Sequence, residues 1–103
     1  MSSAQQIVEE AIENNKVIVF GKSYCREYPT LDECRALLSS LDIEFAVIEL
    51  DLHSQGEAIQ AYLLEKTGQR TVPNIFVNKV HVGGSDDLAK AERDGTLQKL
   101  LAQ

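Results

Sequence analysis

Apolar positions recur along the chain first at helical spacing and then in short unbroken runs. After Ser3, the residues Ala4, Ile7, Val8, Ala11 and Ile12 fall at helical intervals with Glu9, Glu10 and Glu13 on the other side. That pattern predicts an amphipathic helix ending near Asn14 and Asn15. Val17, Ile18, Val19 and Phe20 form a β-branched and aromatic run closed by Gly21, the mark of a buried strand. Thr30 and Glu33 stand three apart at the head of Leu31, Cys34, Leu37, Leu38 and Leu41. This is a capping box that opens an amphipathic helix from about residue 30 to 41. Phe45, Val47 and Ile48 predict a second strand from about Glu44 to Glu49. A helix over about 55–67 follows, with Ala58, Ile59, Tyr62 and Leu63 as its apolar face and Gly68 placed to end it. Asn74-Ile75-Phe76-Val77 and the apolar residues after Lys79 then read as two short strands. Asn78-Lys79 joins them in a tight hairpin, although Asn-Gly would be the stronger turn signal. Ser85 opens a further helix whose positive end suits Asp86 and Asp87. Leu97, Leu100 and Leu101 make a last helical turn or two after Gly95.

The order is helix, strand, helix, strand, helix, strand, strand, helix, helix. Two strands joined through a helix form a right-handed parallel unit, and a hairpin has to add antiparallel strands to the same sheet. The expected class is α/β, with a four-stranded mixed sheet flanked by helices on both faces.

A length of 103 residues suits one domain over residues 1–103 with a single core. Sixteen acidic against ten basic side chains leave a net charge of −6. No stripe of Lys and Arg favours nucleic acid. No apolar run approaches the roughly 20 residues that cross a bilayer, so no membrane is expected. The opening Met-Ser-Ser-Ala-Gln-Gln has neither the basic start nor the apolar core of a secretory signal, and a cytoplasmic location is expected. In that compartment two cysteines are reduced, catalytic or incidental rather than a permanent cross-link.

Cys25 lies between the first strand and the helix that opens at Thr30. Amides at a helix start stabilise a thiolate, so a nucleophile belongs in such a turn, and so does a half-buried loop cysteine. Cys34 stands nine residues later, on the apolar face of its helix by periodicity. It is a possible second thiol, but a buried thiol resolves a disulfide poorly. His53 and His81 are far apart and lack partners at metal-ligand spacing, so no metal is expected.

Three motifs carry a resemblance: Val-Ile-Val-Phe-Gly-Lys-Ser-Tyr-Cys, Thr-Gly-Gln-Arg-Thr-Val-Pro-Asn-Ile-Phe-Val-Asn and His-Val-Gly-Gly-Ser-Asp-Asp-Leu. Over nearly the whole chain it resembles a glutaredoxin, most of all the small cytosolic dithiol type found in fungi. The resemblance implies a thioredoxin-like fold, glutathione as co-substrate, and reduction of protein–glutathione mixed disulfides or small disulfides by a monomer. It implies roles too. Cys25 would be the nucleophile. Lys22 and Gln60, eleven residues before Thr71, would meet the glycyl carboxylate. Thr71, Val72 and a cis Pro73 would present backbone to the cysteinyl part. Ser85 and Asp86 would hold the γ-glutamyl end, helped by helix-start amides.

One segment departs from the family pattern. After its first cysteine the family has Pro, an aromatic, then Cys or Ser. Here Arg26, Glu27 and Tyr28 follow Cys25, and the segment before Leu37-Leu38 is lengthened. By the resemblance, Tyr28 would supply the aromatic wall that the family places near glutathione. With its helix opening only at Thr30, Cys25 loses much of the dipole effect, which fades within about one turn. Its thiol then keeps a pKa nearer the free value of about 8.5. The leading expectation is a glutathione-dependent thiol–disulfide oxidoreductase using a monothiol route with reduced activity. Two alternatives stay open: a non-catalytic module that binds glutathione or a partner, and a dimer holding a glutathione-ligated [2Fe–2S] cluster.

Overall fold

A computed structural model of the chain describes residues 3–22 and 30–102. The elements follow the expected order: α1 (Ala4–Asn14), β1 (Val17–Gly21), α2 (Thr30–Ser40), β2 (Ala46–Glu49), α3 (Gly56–Thr67), β3 (Asn74–Val77), β4 (Val80–Gly83), α4 (Ser85–Asp94) and α5 (Thr96–Leu101). Ser3 caps α1, its Oγ accepting the Gln6 N–H at 3.1 Å. Gly68 ends α3, its N–H donating to the Leu64 carbonyl at 2.8 Å.

The strands form one four-stranded sheet in the order β2-β1-β3-β4. β1 pairs in parallel with β2 and antiparallel with β3, and β4 runs antiparallel to β3. Every residue of β1 and β3 is buried. Because side chains alternate across a strand, these two strands feed a core on each face of the sheet, two rather than the single core expected from chain length. Val17, Val19, Ile75 and Val77 pack with Leu38, Leu88, Ala91 and Leu97, so α2, α4 and α5 cover one face. Ile18, Phe20 and Phe76 pack with Val8, Ile12, Ile59 and Leu63, so α1 and α3 cover the other. There Phe20 and Phe76 meet edge to face, centroids 6.0 Å apart at 88°.

Strand β2 starts later than expected, at Ala46 rather than Glu44. The register pairs Ile18 with Ala46, so Phe45 would stand opposite Val17 and Glu44 opposite Lys16, which precedes β1. Without a ladder partner Glu44 cannot extend the strand, while Phe45 still packs against the core. The hairpin turn is the expected one: Asn78 and Lys79 have φ of 50° and 71°, the pair of positive values that a type I′ turn requires. Asn78 tolerates this region well. Lys79 does not, although its ammonium reaches Glu13 at 3.3 Å.

Polar contacts tie the layers together at their rims. Arg35 of α2 meets Glu49 at the end of β2 at 2.6 Å. On the opposite face one carboxylate oxygen of Glu9 accepts from Tyr62 Oη and from Lys66 Nζ, the latter at 2.9 Å, joining α1 to α3. Lys66 foremost, and Tyr62 after it, hold the Glu9 carboxyl below its ordinary value of 4.5. A carboxyl depressed in the folded state stabilises it above the unfolded value and loses that contribution as pH falls through the folded one. Glu9→Gln should therefore cost about 0.2–1 kcal/mol at pH 7, as befits a partly exposed pair. Denaturation midpoints followed from pH 7 downward should converge with those of the wild type below the ordinary 4.5. A constant gap down to the acid limb would show that Glu9 contributes nothing through its charge.

Candidate functional site

The antiparallel register pairs Phe20 with Asn74, so the end of β1 and the segment entering β3 leave the sheet side by side. Lys22 follows β1 directly. It lines a cavity of 660 Å³ together with Leu50, Asp51, His53, Gly56 and Gln60 among others. Two residues that are 38 positions apart, Lys22 and Gln60, are thus brought to one cavity. Gly56 forms part of its wall, and no side chain fits there because a Cβ would fall on the Leu50 carbonyl. The turn before α3 is held by the Gly56 N–H on the His53 carbonyl at 3.1 Å and by the Gln55 N–H on His53 Nδ1 at 2.9 Å. Gln60 also donates through Nε2 to the Arg70 carbonyl at 3.2 Å, linking the cavity to the next segment.

That segment is Thr71-Val72-Pro73, and the Val72–Pro73 peptide is cis, as expected for Pro73. The start of α4 lies against it: a Cβ at Gly84 would come 3.6 Å from the Pro73 carbonyl. Ser85 is the first residue of α4, while the cap position belongs to Gly84, whose N–H donates to Asp87 Oδ2 at 3.0 Å. Capping is therefore done by Asp87. The Ser85 hydroxyl and Asp86 carboxylate take part in no hydrogen bond or ion pair among the described residues. Gly83 precedes this start at φ 121°, and any Cβ there would collide with the Asp87 carboxylate. Cys25 and Tyr28 lie outside the described residues, as does the side chain of Cys34.

Sequence reasoning gave no structural role to four polar residues near the cis-proline segment, Thr67, Gln69, Asn74 and His81, the last weighed only as a metal ligand. Thr67 Oγ1 donates to the Leu63 carbonyl at 2.7 Å and accepts from the Gln69 N–H at 3.0 Å and Asn74 Nδ2 at 3.3 Å. Asn74, only 1% exposed, offers Oδ1 to His81 Nε2 at 2.8 Å. With Asn74 Nδ2 committed to Thr67, Oδ1 is the acceptor, so His81 carries its proton on Nε2. Partial desolvation of the imidazole against the Phe76 ring, 5.1 Å away, pushes the pKa of the otherwise exposed His81 below the ordinary 6.5, with Asp87 opposing. Gln69 Nε2 donates to the Thr71 carbonyl at 2.9 Å and to the Pro73 carbonyl at 3.0 Å. One signal for this group was present: Asn74 is a polar residue at the head of an otherwise apolar strand.

A family model described as Glutaredoxin matches residues 17–82. The chain belongs to the glutaredoxin family. Among its relatives, glutaredoxin-1 of Rhizophagus irregularis is 47% identical over 102 residues, covering 99% of this chain and 98% of the relative. Glutaredoxin-2 of Schizosaccharomyces pombe is 43% identical over 102 residues, covering 99% and 90% respectively. Among solved structures, a buckwheat glutaredoxin in complex with glutathione superposes with a TM-score of 0.89 at 40% identity, covering 96% of this chain and 87% of that one. The sheet and flanking helices are therefore the thioredoxin-like fold of this family, and thiol–disulfide exchange is its class of chemistry.

Gly83 gives the site its most easily tested constraint. Gly83→Ala of this glutaredoxin combines a positive φ with displacement of the capping carboxylate. It should cost about 1–3 kcal/mol in chemical denaturation. A loss below about 0.5 kcal/mol, the range of an inert surface change, would mean that the start of α4 shifts freely.

Proposed function

We propose that this glutaredoxin is a glutathione-dependent thiol–disulfide oxidoreductase acting on protein–glutathione mixed disulfides through Cys25 by a monothiol route. What carries the reading is the convergence at one end of the sheet of a Lys22–Gln60 cavity, a cis Val72–Pro73 segment and the start of α4. Lys22 suits the glycyl carboxylate and Gln60 lies beside it. None of the described hydrogen bonds involves the N–H or C=O of Val72, which leaves that backbone pair for the cysteinyl residue of glutathione. Ser85 and Asp86, with the first amides of α4, suit the γ-glutamyl carboxylate and ammonium. The likeness to a glutaredoxin solved with glutathione supports the same ligand.

In the first step the Cys25 thiolate attacks the glutathione sulfur of the mixed disulfide. A Cys25–glutathione disulfide forms, and the substrate sulfur leaves as thiolate and takes a proton. A second glutathione thiolate then attacks the glutathione sulfur of that disulfide, releasing oxidised glutathione and restoring the Cys25 thiolate. No second protein cysteine is used. Cys34 stands four residues before the fully buried Leu38 on α2 and is dispensable by this route. Cys34→Ser should keep most of the wild-type turnover of a glutathione mixed disulfide, and Cys25→Ser should lose it. Equal loss in both variants would overturn the assignment.

Turnover is expected to be low for a glutaredoxin, because the helix that should activate Cys25 opens at Thr30 by its capping box. At a free-thiol pKa of about 8.5 only about 3% of the sulfur is thiolate at pH 7. Greater basicity recovers part of that loss through a Brønsted slope of about 0.4–0.5, leaving a several-fold penalty from ionisation. A sulfur moved off the attack line by the lengthened segment would cost on the order of a hundredfold more. The rate should rise with pH from about 7 to 9, following the thiolate fraction. Restoring a Cys-Pro-Tyr-Cys segment should raise turnover and flatten the profile. Ordinary turnover already flat above about pH 6 would show an activated thiolate in the present loop.

A further inference from the structure

We infer that Gln69 is a positioning residue for glutathione: its carboxamide clamps the two backbone carbonyls that flank Val72 and holds that residue ready for the ligand. The inference rests on the glutathione reading given above. Gln69 Nε2 lies 2.9 Å from the Thr71 carbonyl and 3.0 Å from the Pro73 carbonyl. Both partners are acceptors, so the amide nitrogen has to face them, and its two hydrogens are the two that it has to give. The clamp is itself anchored. The backbone N–H of Gln69 donates to Thr67 Oγ1 at 3.0 Å, and that hydroxyl is fixed by the Leu63 carbonyl at 2.7 Å and by Asn74. Asn74 in turn is buried and held by His81 at 2.8 Å. A chain of side-chain hydrogen bonds therefore runs from edge strand β4, through the floor of the sheet end and the end of α3, to both sides of Val72.

This arrangement sorts the backbone groups of the segment. The carbonyls on either side of Val72 are consumed inward by Gln69, while the N–H and C=O of Val72 have no hydrogen-bond partner among the described residues. A ligand that pairs with Val72 meets groups already oriented, and the ordering cost is met before binding. Without the clamp the three peptide units turn independently towards water, and binding has to order them. The effect falls on affinity for glutathione and not on the sulfur chemistry, since Gln69 is held by backbone carbonyls and a helix end.

The decisive comparison uses Gln69→Met, which keeps the length of the side chain and removes both donors. Glutathione affinity by calorimetry should fall about tenfold, equivalent to about 1.4 kcal/mol and within what two net hydrogen bonds supply. Gln69→Ala should fall as far. The KM for glutathione should rise in step, while kcat at saturating glutathione stays within about twofold. Gln69→Lys, which restores donors, should recover affinity relative to Gln69→Met in high salt that screens its charge. If Gln69→Met does not fold, the Ala and Lys variants make the same comparison. A side chain that only filled space would bind well as Met and poorly as Ala. That order, or Met within about twofold of the wild type, overturns the inference. Failure of the wild type to bind glutathione overturns the functional reading and the clamp together, whereas equal binding by wild type and Gln69→Met removes the clamp alone.

Discussion

Burial of β1 on both faces is the constraint from which the rest of the molecule follows. Ile18, Val19 and Phe20 have ladder partners on both sides, Val17 and Gly21 on one, and all five residues are buried between apolar neighbours above and below. A strand in that position forces helices onto both faces. α2, α4 and α5 are required by Val17 and Val19, and α1 and α3 by Ile18 and Phe20. It also forces the chain to leave the sheet abruptly. Polar chemistry has no place along such a strand, so it collects where the strand ends, at Lys22 and in the segments that follow.

The candidate site is accordingly made of chain reversals and not of a side-chain cluster in a groove. The β2–α3 turn, the segment before β3 and the start of α4 meet there, each shaped by a backbone requirement. Gly56 admits the Leu50 carbonyl and Gly83 admits the Asp87 carboxylate. Recognition then relies on oriented N–H and C=O groups, which need support because an unpaired peptide group near a core is costly. Thr67, Gln69, Asn74 and His81 supply that support as a closed network in which the buried Asn74 has both ends satisfied. Such a network fixes one geometry when complete and destabilises the fold when a member is lost.

Much of this was legible in the residues. Periodicity located the helices and strands within a residue or two, Asn78-Lys79 marked the hairpin, and Gly68 marked the end of α3, because each of these depends on local backbone preference and side-chain alternation. That Lys22 and Gln60 belong together was suggested only by family resemblance, since nothing local says that they share a cavity.

The amino-acid sequence by itself determined the order of elements, the faces they bury and the turn chemistry between them, since those are short-range properties of the chain. The tertiary structure alone decided the strand order β2-β1-β3-β4 and the register that starts β2 at Ala46. It also decided that Glu9 meets Tyr62 and that Asp87 rather than Ser85 caps α4. It alone turned Gln69 onto two carbonyls. The physical reason is common to all of these. A hydrogen bond or a ladder partner belongs to a pair of groups, and which pair forms depends on how the packed cores bring distant segments together.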